Sequence, residues 1–223
     1  MAVLEGSGSG VLAEVGAAAQ KGLHVITKPT DVGSLGAYRY SGFTGILPAA
    51  LAANSEIFQF RWTDSTRIAI IRKVRFAASV TTTFFAAGVP VQIDLVKSTA
   101  WTVAGTGGTA ISPAALLKKR TSFGSSLVAS GDMRIATTAA LGAGTKTLET
   151  LSMATALAGG PITASLNGTI FAPFQLFECE ISDGEYPLSL VQNEGFSIRS
   201  VAVPATGTWQ VSVMVDWAEV TAF

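Results

Sequence analysis

Apolar and polar residues alternate with a period of two in several stretches of the chain. Trp209, Val211, Val213, Val215 and Trp217 fall on one face of an extended segment, and Gln210, Ser212, Met214, Asp216 and Ala218 fall on the other. Side chains of a strand point alternately to its two faces, so this pattern predicts a long strand with one face in a core. Phe58, Phe60 and Trp62 alternate with Gln59 and Arg61 in the same way. Val89, Val91, Ile93 and Leu95 form another set opposite Gln92 and Asp94, and Phe196 and Ile198 alternate with Ser197 and Arg199. Further strands are expected at 23–28, 67–80, 169–171, 176–182 and 188–192.

The connections carry turn chemistry. Gly105-Thr106-Gly107-Gly108, Gly142-Ala143-Gly144, Gly159-Gly160-Pro161, Asn167-Gly168, Asp183-Gly184 and Thr206-Gly207 supply residues that accept positive φ at little cost. Many strands at short spacing with such turns predict an all-β fold, an antiparallel β-sandwich or a barrel. Short helical turns are expected at 47–53, 112–120 and 151–157. The second has Ser112 as N-cap and Pro113 at its first position.

The first residues differ from the rest. Gly6-Ser7-Gly8-Ser9-Gly10 has linker composition, and an Ala-rich stretch follows it up to Lys21. Residues 1–21 are therefore expected to form an extended N-terminal arm, flexible or ordered on a partner, and 22–223 a single β-sandwich domain.

Composition narrows the function. Among 223 residues, 15 Lys and Arg balance 15 Asp and Glu, and only 13% are charged against about 25% in an ordinary globular protein. With 48% apolar residues, the chain has the material for a core and is not a disordered polyelectrolyte. Zero net charge argues against nucleic-acid binding by bulk positive charge. No basic stretch followed by an apolar one opens the sequence, and no uncharged stretch escapes interruption by Gly, Pro, Ser or Thr, so neither a secretory leader nor a membrane helix is read. Cys179 is the one cysteine and cannot form an internal disulfide, which fits a reducing compartment.

Candidate chemistry is sparse. His24 is the only histidine, so any Ser-His-Asp arrangement would have to use it, and no two-histidine metal site can be built within one chain. Cys179 lies between Glu178 and Glu180, whose charges would raise its thiol pKa. Residues 105–108 lack the following Gly-Lys-Ser/Thr of a phosphate loop and read as a turn. Glu178, Glu180, Asp183 and Glu185 bring oxygens together as a hard cation requires, but they read more simply as a solvated strand edge. Arg61, Arg67, Arg72, Lys73 and Arg75 make one basic cluster and Lys118-Lys119-Arg120 a second, suited to acidic partner groups or to nucleic acid. Phe58, Phe60 and Trp62 mimic a base-stacking platform, yet their alternation assigns them to a core. The expectation is a protein with no catalytic, metal or cofactor site, a non-enzyme that binds or builds.

Four stretches add to this reading: Glu56-Ile57-Phe58-Gln59-Phe60-Arg61-Trp62-Thr63-Asp64, Gly144-Thr145-Lys146-Thr147-Leu148, Gln192-Asn193-Glu194-Gly195-Phe196, and the ending from Gly207-Thr208-Trp209 to Trp217-Ala218-Glu219. They resemble segments of small virion structural proteins of tailed bacteriophages, over a span from about Gly22 to the C-terminus. The resemblance implies a jelly-roll sandwich located in the virion. It implies a capsid cement or decoration subunit, a homo-oligomer of trimeric type, that binds the major capsid protein and touches neither membrane nor DNA. A head or tail fibre module that binds a receptor is the alternative, with Trp101 and Tyr186 as exposed loop aromatics for a glycan. An enzyme of glycosidase type would need two carboxylates across a cleft, Glu178 and Asp216 being candidates.

Overall fold

The computed structural model describes residues 3–5, 12–14, 35–82, 85, 90–158, 169–179, 185–203 and 205–221. The chain divides into two compact units, 1–31 and 32–223. In the first, strand β1 (Val3–Glu5) pairs antiparallel with β2 (Leu12–Glu14). The rest of the expected arm, the strand expected at 23–28 and His24 lie outside the described residues, as do Glu180 and Asp183.

The second unit is built from β3 (Gly36–Phe43), β4 (Leu47–Pro48), β5 (Ser55–Trp62), β6 (Ile68–Val80), β7 (Val91–Val103), β8 (Thr109–Ala110), β9 (Leu117–Lys118), β10 (Met133–Ile135), β11 (Thr145–Leu148), β12 (Ala154–Ala158), β13 (Thr169–Glu178), β14 (Leu188–Leu190), β15 (Glu194–Ala202) and β16 (Thr208–Val220). Two antiparallel sheets result. The β5 sheet runs β11-β7-β15-β5-β10-β8, with β12 also on β7. The β16 sheet runs β13-β6-β16-β3-β9, with β14 on β6 and β4 on β16. Among the described residues there is no α-helix.

The sheets meet through the faces that the alternation marked. Trp209, Val211, Val213, Val215 and Trp217 of β16 are buried, as are Phe58, Phe60 and Trp62 of β5 and Phe196 and Ile198 of β15. Rings join the layers: Phe60 stands edge-on to Trp217 with centroids 5.4 Å apart, and Tyr40 stacks on Phe58 at 5.8 Å. Each core indole finds an acceptor, as a buried N–H must. Trp62 Nε1 donates to Arg67 O, Trp209 Nε1 to Pro48 O and Trp217 Nε1 to Glu219 Oε1, at 2.8, 3.2 and 3.1 Å.

Local propensity yields to pairing where helices were expected. Residues 47–53 start with β4 on Trp209 and Thr208, because the residue before Pro48 is pushed out of the α region. Residues 151–157 run into β12, where Ala154 and Ala156 face Leu95 and Ile93 of β7. Near 112–120 only a 3₁₀ turn forms, Pro113–Ala115, with Ser112 Oγ accepting from Ala114 N. The chain then extends into β9 beside Tyr38 and Arg39. The two strands expected at 169–171 and 176–182 form one, β13, which passes through Pro173 with three register shifts. Proline is tolerated there because, among the described residues, β13 is an edge strand paired with β6 alone.

Candidate functional site

The outer face of the β5 sheet carries a buried polar layer whose position follows from one extra residue. Between β5 and β15 the register steps from Ile198↔Phe58 to Arg199↔Glu56, leaving Ile57 as a bulge. Strict alternation from Phe58 would send Glu56 into the core. The bulge turns it outward instead, to the side of Gln59 and Ser197. There Glu56 Oε2 accepts from Gln59 Nε2 at 2.6 Å, Ser197 Oγ at 2.8 Å and Lys146 Nζ at 2.5 Å. Lys146 Nζ also donates to Ser197 Oγ at 2.9 Å and stands 3.8 Å from the centroid of the Trp101 ring. The Lys146 and Glu56 side chains are only 2% and 5% exposed, so their charges are compensated by each other and by the surrounding dipoles rather than by water. Burial lowers the pKa of Lys146, and the Glu56 carboxylate opposes that shift.

Two loop passes close over this layer. Thr106 N and Gly142 O are 3.2 Å apart, and Gly142 N and Thr106 O 2.9 Å, so the pass at 104–108 is bonded to the pass at 141–144. Gly105 permits the approach, since a Cβ there would overlap the Gln59 side-chain oxygen and Gly142 O. Gly195 does the same for Trp101, whose ring fills the space a Cβ would take. Farther along this face, Asp94 accepts from Ser152 at 2.5 Å, Thr155 at 2.8 Å and Gln92 at 3.1 Å, with Arg199 Nη2 at 3.6 Å. Burial pushes its pKa up, but these bonds outweigh burial and hold it below the ordinary value. Asp132 takes Arg61 at 2.6 Å and Thr63 at 2.7 Å.

On the outer face of the β16 sheet the cations stay partly exposed, while Asp216 itself is buried. Asp216 is gripped by Arg39 Nε and Nη2 at 2.6 and 2.8 Å and by Lys119 Nζ at 2.8 Å. Burial opposes, and these cations and their bonds win, so its pKa is lowered. Lys73 pairs with Glu178, and Arg75 donates to Gln175. Beyond these a shallow groove of about 360 Å³ is lined by Phe43, Ala77, Ser79, Phe171, Gln210 and Ser212, among other residues. At the end of β16, buried Glu219 accepts from Ser126 Oγ at 2.6 Å, Leu127 N at 3.1 Å and Trp217 Nε1 at 3.1 Å. Burial raises its pKa against these bonds.

These placements sort the sequence candidates. Phe58, Phe60 and Trp62 are core residues and no stacking platform. Trp101, expected in an exposed loop, is on β7 and 1% exposed, its indole bonded to Val103 O; it serves as the apolar floor under Lys146. Tyr186 is 89% exposed. Glu178 and Asp216 flank Lys73 on a flat sheet face rather than facing across a cleft. Cys179 is buried, and its thiol pKa is raised by that burial and by Glu185 against the opposing Arg72. Of the first basic cluster, Arg61, Lys73 and Arg75 are bound within the chain; of the second, Lys119 is the one bound to a carboxylate among the described residues. Sequence reading missed the Glu56–Lys146 pair, since the two lie 90 residues apart and only the bulge turns Glu56 toward Lys146. Among the described residues no group of three or more His, Cys, Asp or Glu side chains is placed to hold a metal ion, and no helix is long and apolar enough to cross a membrane. Comparison with protein-family models, with curated proteins and with solved structures finds no match.

Proposed function

We propose that the chain is a structural subunit of a virion, a capsid cement or decoration protein that binds the outside of a phage head as a homotrimer and braces contacts between major-capsid subunits. The observation that carries this reading is the strand order. Taken in chain order, the strands β3, β5, β6, β7, β12, β13, β15 and β16 form the sets β3-β16-β6-β13 and β5-β15-β7-β12. The first pairs with the eighth, the second with the seventh, the third with the sixth and the fourth with the fifth. That is the order made when one long antiparallel hairpin rolls up into two Greek keys, the jelly roll shared by viral capsid and lectin domains.

The chemistry supports the same reading. Carboxylates Glu56, Asp94, Asp132 and Asp216 are all engaged by cations of the chain itself, which suits a part that must hold its shape under load. Binding then comes from a surface repeated many times on a lattice, where modest contacts add up. Counting copies in purified particles against the major capsid protein tests the proposal. Hundreds of copies are expected. A few to a few tens would move the chain to a fibre, with Tyr186 and the Phe43 groove as the places to test for glycan, and absence from the particle would overturn the virion reading. Deleting residues 1–21 is expected to leave the 32–223 unit folded, by circular dichroism and melting, while weakening attachment to particles by orders of magnitude. Undiminished attachment would remove the arm from the interface.

A further inference from the structure

We propose that residues 117–122 form a preformed dock for an extended acidic segment of a partner protein. The inference deepens the assembly reading, on which it rests only for the identity of that partner. Of the nine other lysine and arginine side chains in the described residues, five pair with a carboxylate, those of Glu56, Asp94, Asp132, Glu149 and Glu178, and Arg75 and Arg134 donate to neutral oxygens of the chain. Around β9 the balance is different. Arg39 and Lys119 share the one carboxylate of Asp216, and Lys118 and Arg120 are exposed with no carboxylate within 4.0 Å among the described residues. Two cations thus share one acid and two more beside them in the chain have none, a local positive excess on a chain whose total charge is zero.

The segment is held ready. Lys119 N donates to Ala37 O at 2.8 Å, Phe123 N to Arg120 O at 3.0 Å and Tyr38 Oη to Gly124 O at 3.1 Å. Just beyond, Ser126 and Leu127 are anchored on buried Glu219. A dock ordered in advance loses little entropy on binding. Among the described residues β9 is also the last strand of its sheet, paired with β3 alone. Its other edge offers backbone groups to an added strand, and Leu117 beside it is 61% exposed. A strand edge, an apolar contact and flanking cations together fit an extended peptide that alternates acidic and apolar residues. A nucleic acid would use the cations and leave the edge and Leu117 without a role.

Fluorescence anisotropy of the full chain with a labelled peptide of alternating Asp and Leu tests this, with a labelled DNA duplex of equal charge as the competing probe. The peptide is expected to bind better than the duplex. The variant K118E/R120E, both changes being at exposed positions, should melt as the parent does and bind the peptide at least about tenfold more weakly, and raising salt to 0.5 M should weaken the parent similarly. Substituting Leu117→Ser, which removes the apolar contact without adding charge, should weaken the peptide and leave the duplex unchanged. Peptide binding that is undetectable, that is unmoved by K118E/R120E, or that is matched by the duplex would overturn the proposal. A high copy number in particles with no peptide binding would refute the dock and leave the assembly reading standing.

Discussion

The two outer faces of the sandwich use charge in opposite ways. Over the β5 sheet, Arg61 and Arg199 expose no more than 16% of their side chains beside buried acids, and Lys146 and Glu56 are nearly inaccessible. Over the β16 sheet, Arg39, Lys73 and Lys119 pair with acids while keeping between a fifth and two-fifths of their side chains exposed. The same chemical pair therefore has different value on the two faces. In the sealed layer the desolvation cost is already incurred, so losing one partner strands the other. Where both partners stay partly exposed, as Lys73 and Glu178 do, water replaces a lost partner, and such a pair is worth about 0–1 kcal/mol.

The largest effect should come from the core that both faces share. Trp217→Ala or Trp209→Ala removes a ring buried between the sheets and should cost about 3–5 kcal/mol, read as a lower denaturation midpoint in urea. An unchanged midpoint would mean that the layers do not meet through these rings. The sealed layer comes next. Lys146→Ala alone should cost about 3–5 kcal/mol by leaving Glu56 buried without its cation, whereas the double change Lys146→Met with Glu56→Leu should recover most of that loss. A double-mutant cycle without such recovery would place the two groups in water. On the outer face of the β16 sheet, Glu178→Gln should cost about 1 kcal/mol or less, and a loss as large as that of Lys146→Ala would erase the contrast.

Acid should act on both faces through Asp94 and Asp216. Each has a pKa below its ordinary value in the folded chain, so each binds protons more weakly folded than unfolded. Their stabilisation is complete above about pH 4 and fades as pH falls through the lower folded values. Melting followed from pH 5 downward should show this decline, with a shallower slope in Asp216→Asn. Glu219 has the opposite sign: its raised pKa makes its contribution greatest in acid and smaller as pH rises through the folded value. Its contribution therefore opposes the acid decline.

The core was legible in the sequence because period two survives in long strands. Trp209 to Trp217 and Phe58 to Trp62 stand where alternation puts them. The polar layer was not legible, for a specific reason. One bulged residue, Ile57, inverts the parity of Glu56, and no local signal distinguishes a bulge in Ser55-Glu56-Ile57-Phe58 from a regular strand. The short strands failed differently. Ala154–Ala158 has an alanine-rich composition that favours helix, and only β7, far away in sequence, decides against it. The Ser112 cap was readable since it depends on two neighbouring residues alone. Trp101 looked exposed because Gly-rich residues follow it, and the loops that cover it come from parts of the chain that composition cannot connect.

The central place of β16 in its sheet, between β6 and β3, bears on synthesis. Residues 208–220 are made after every other strand of that sheet, so as the chain leaves the ribosome neither β3 nor β6 has the neighbour that completes it. Half of the sandwich waits on its final segment with apolar faces such as Val74, Phe76 and Ala78 uncovered. Closure is then late and dominated by distant partners, a regime in which folding is slow and crowding favours aggregation. A ribosome that stops before Thr208 releases a chain that cannot close.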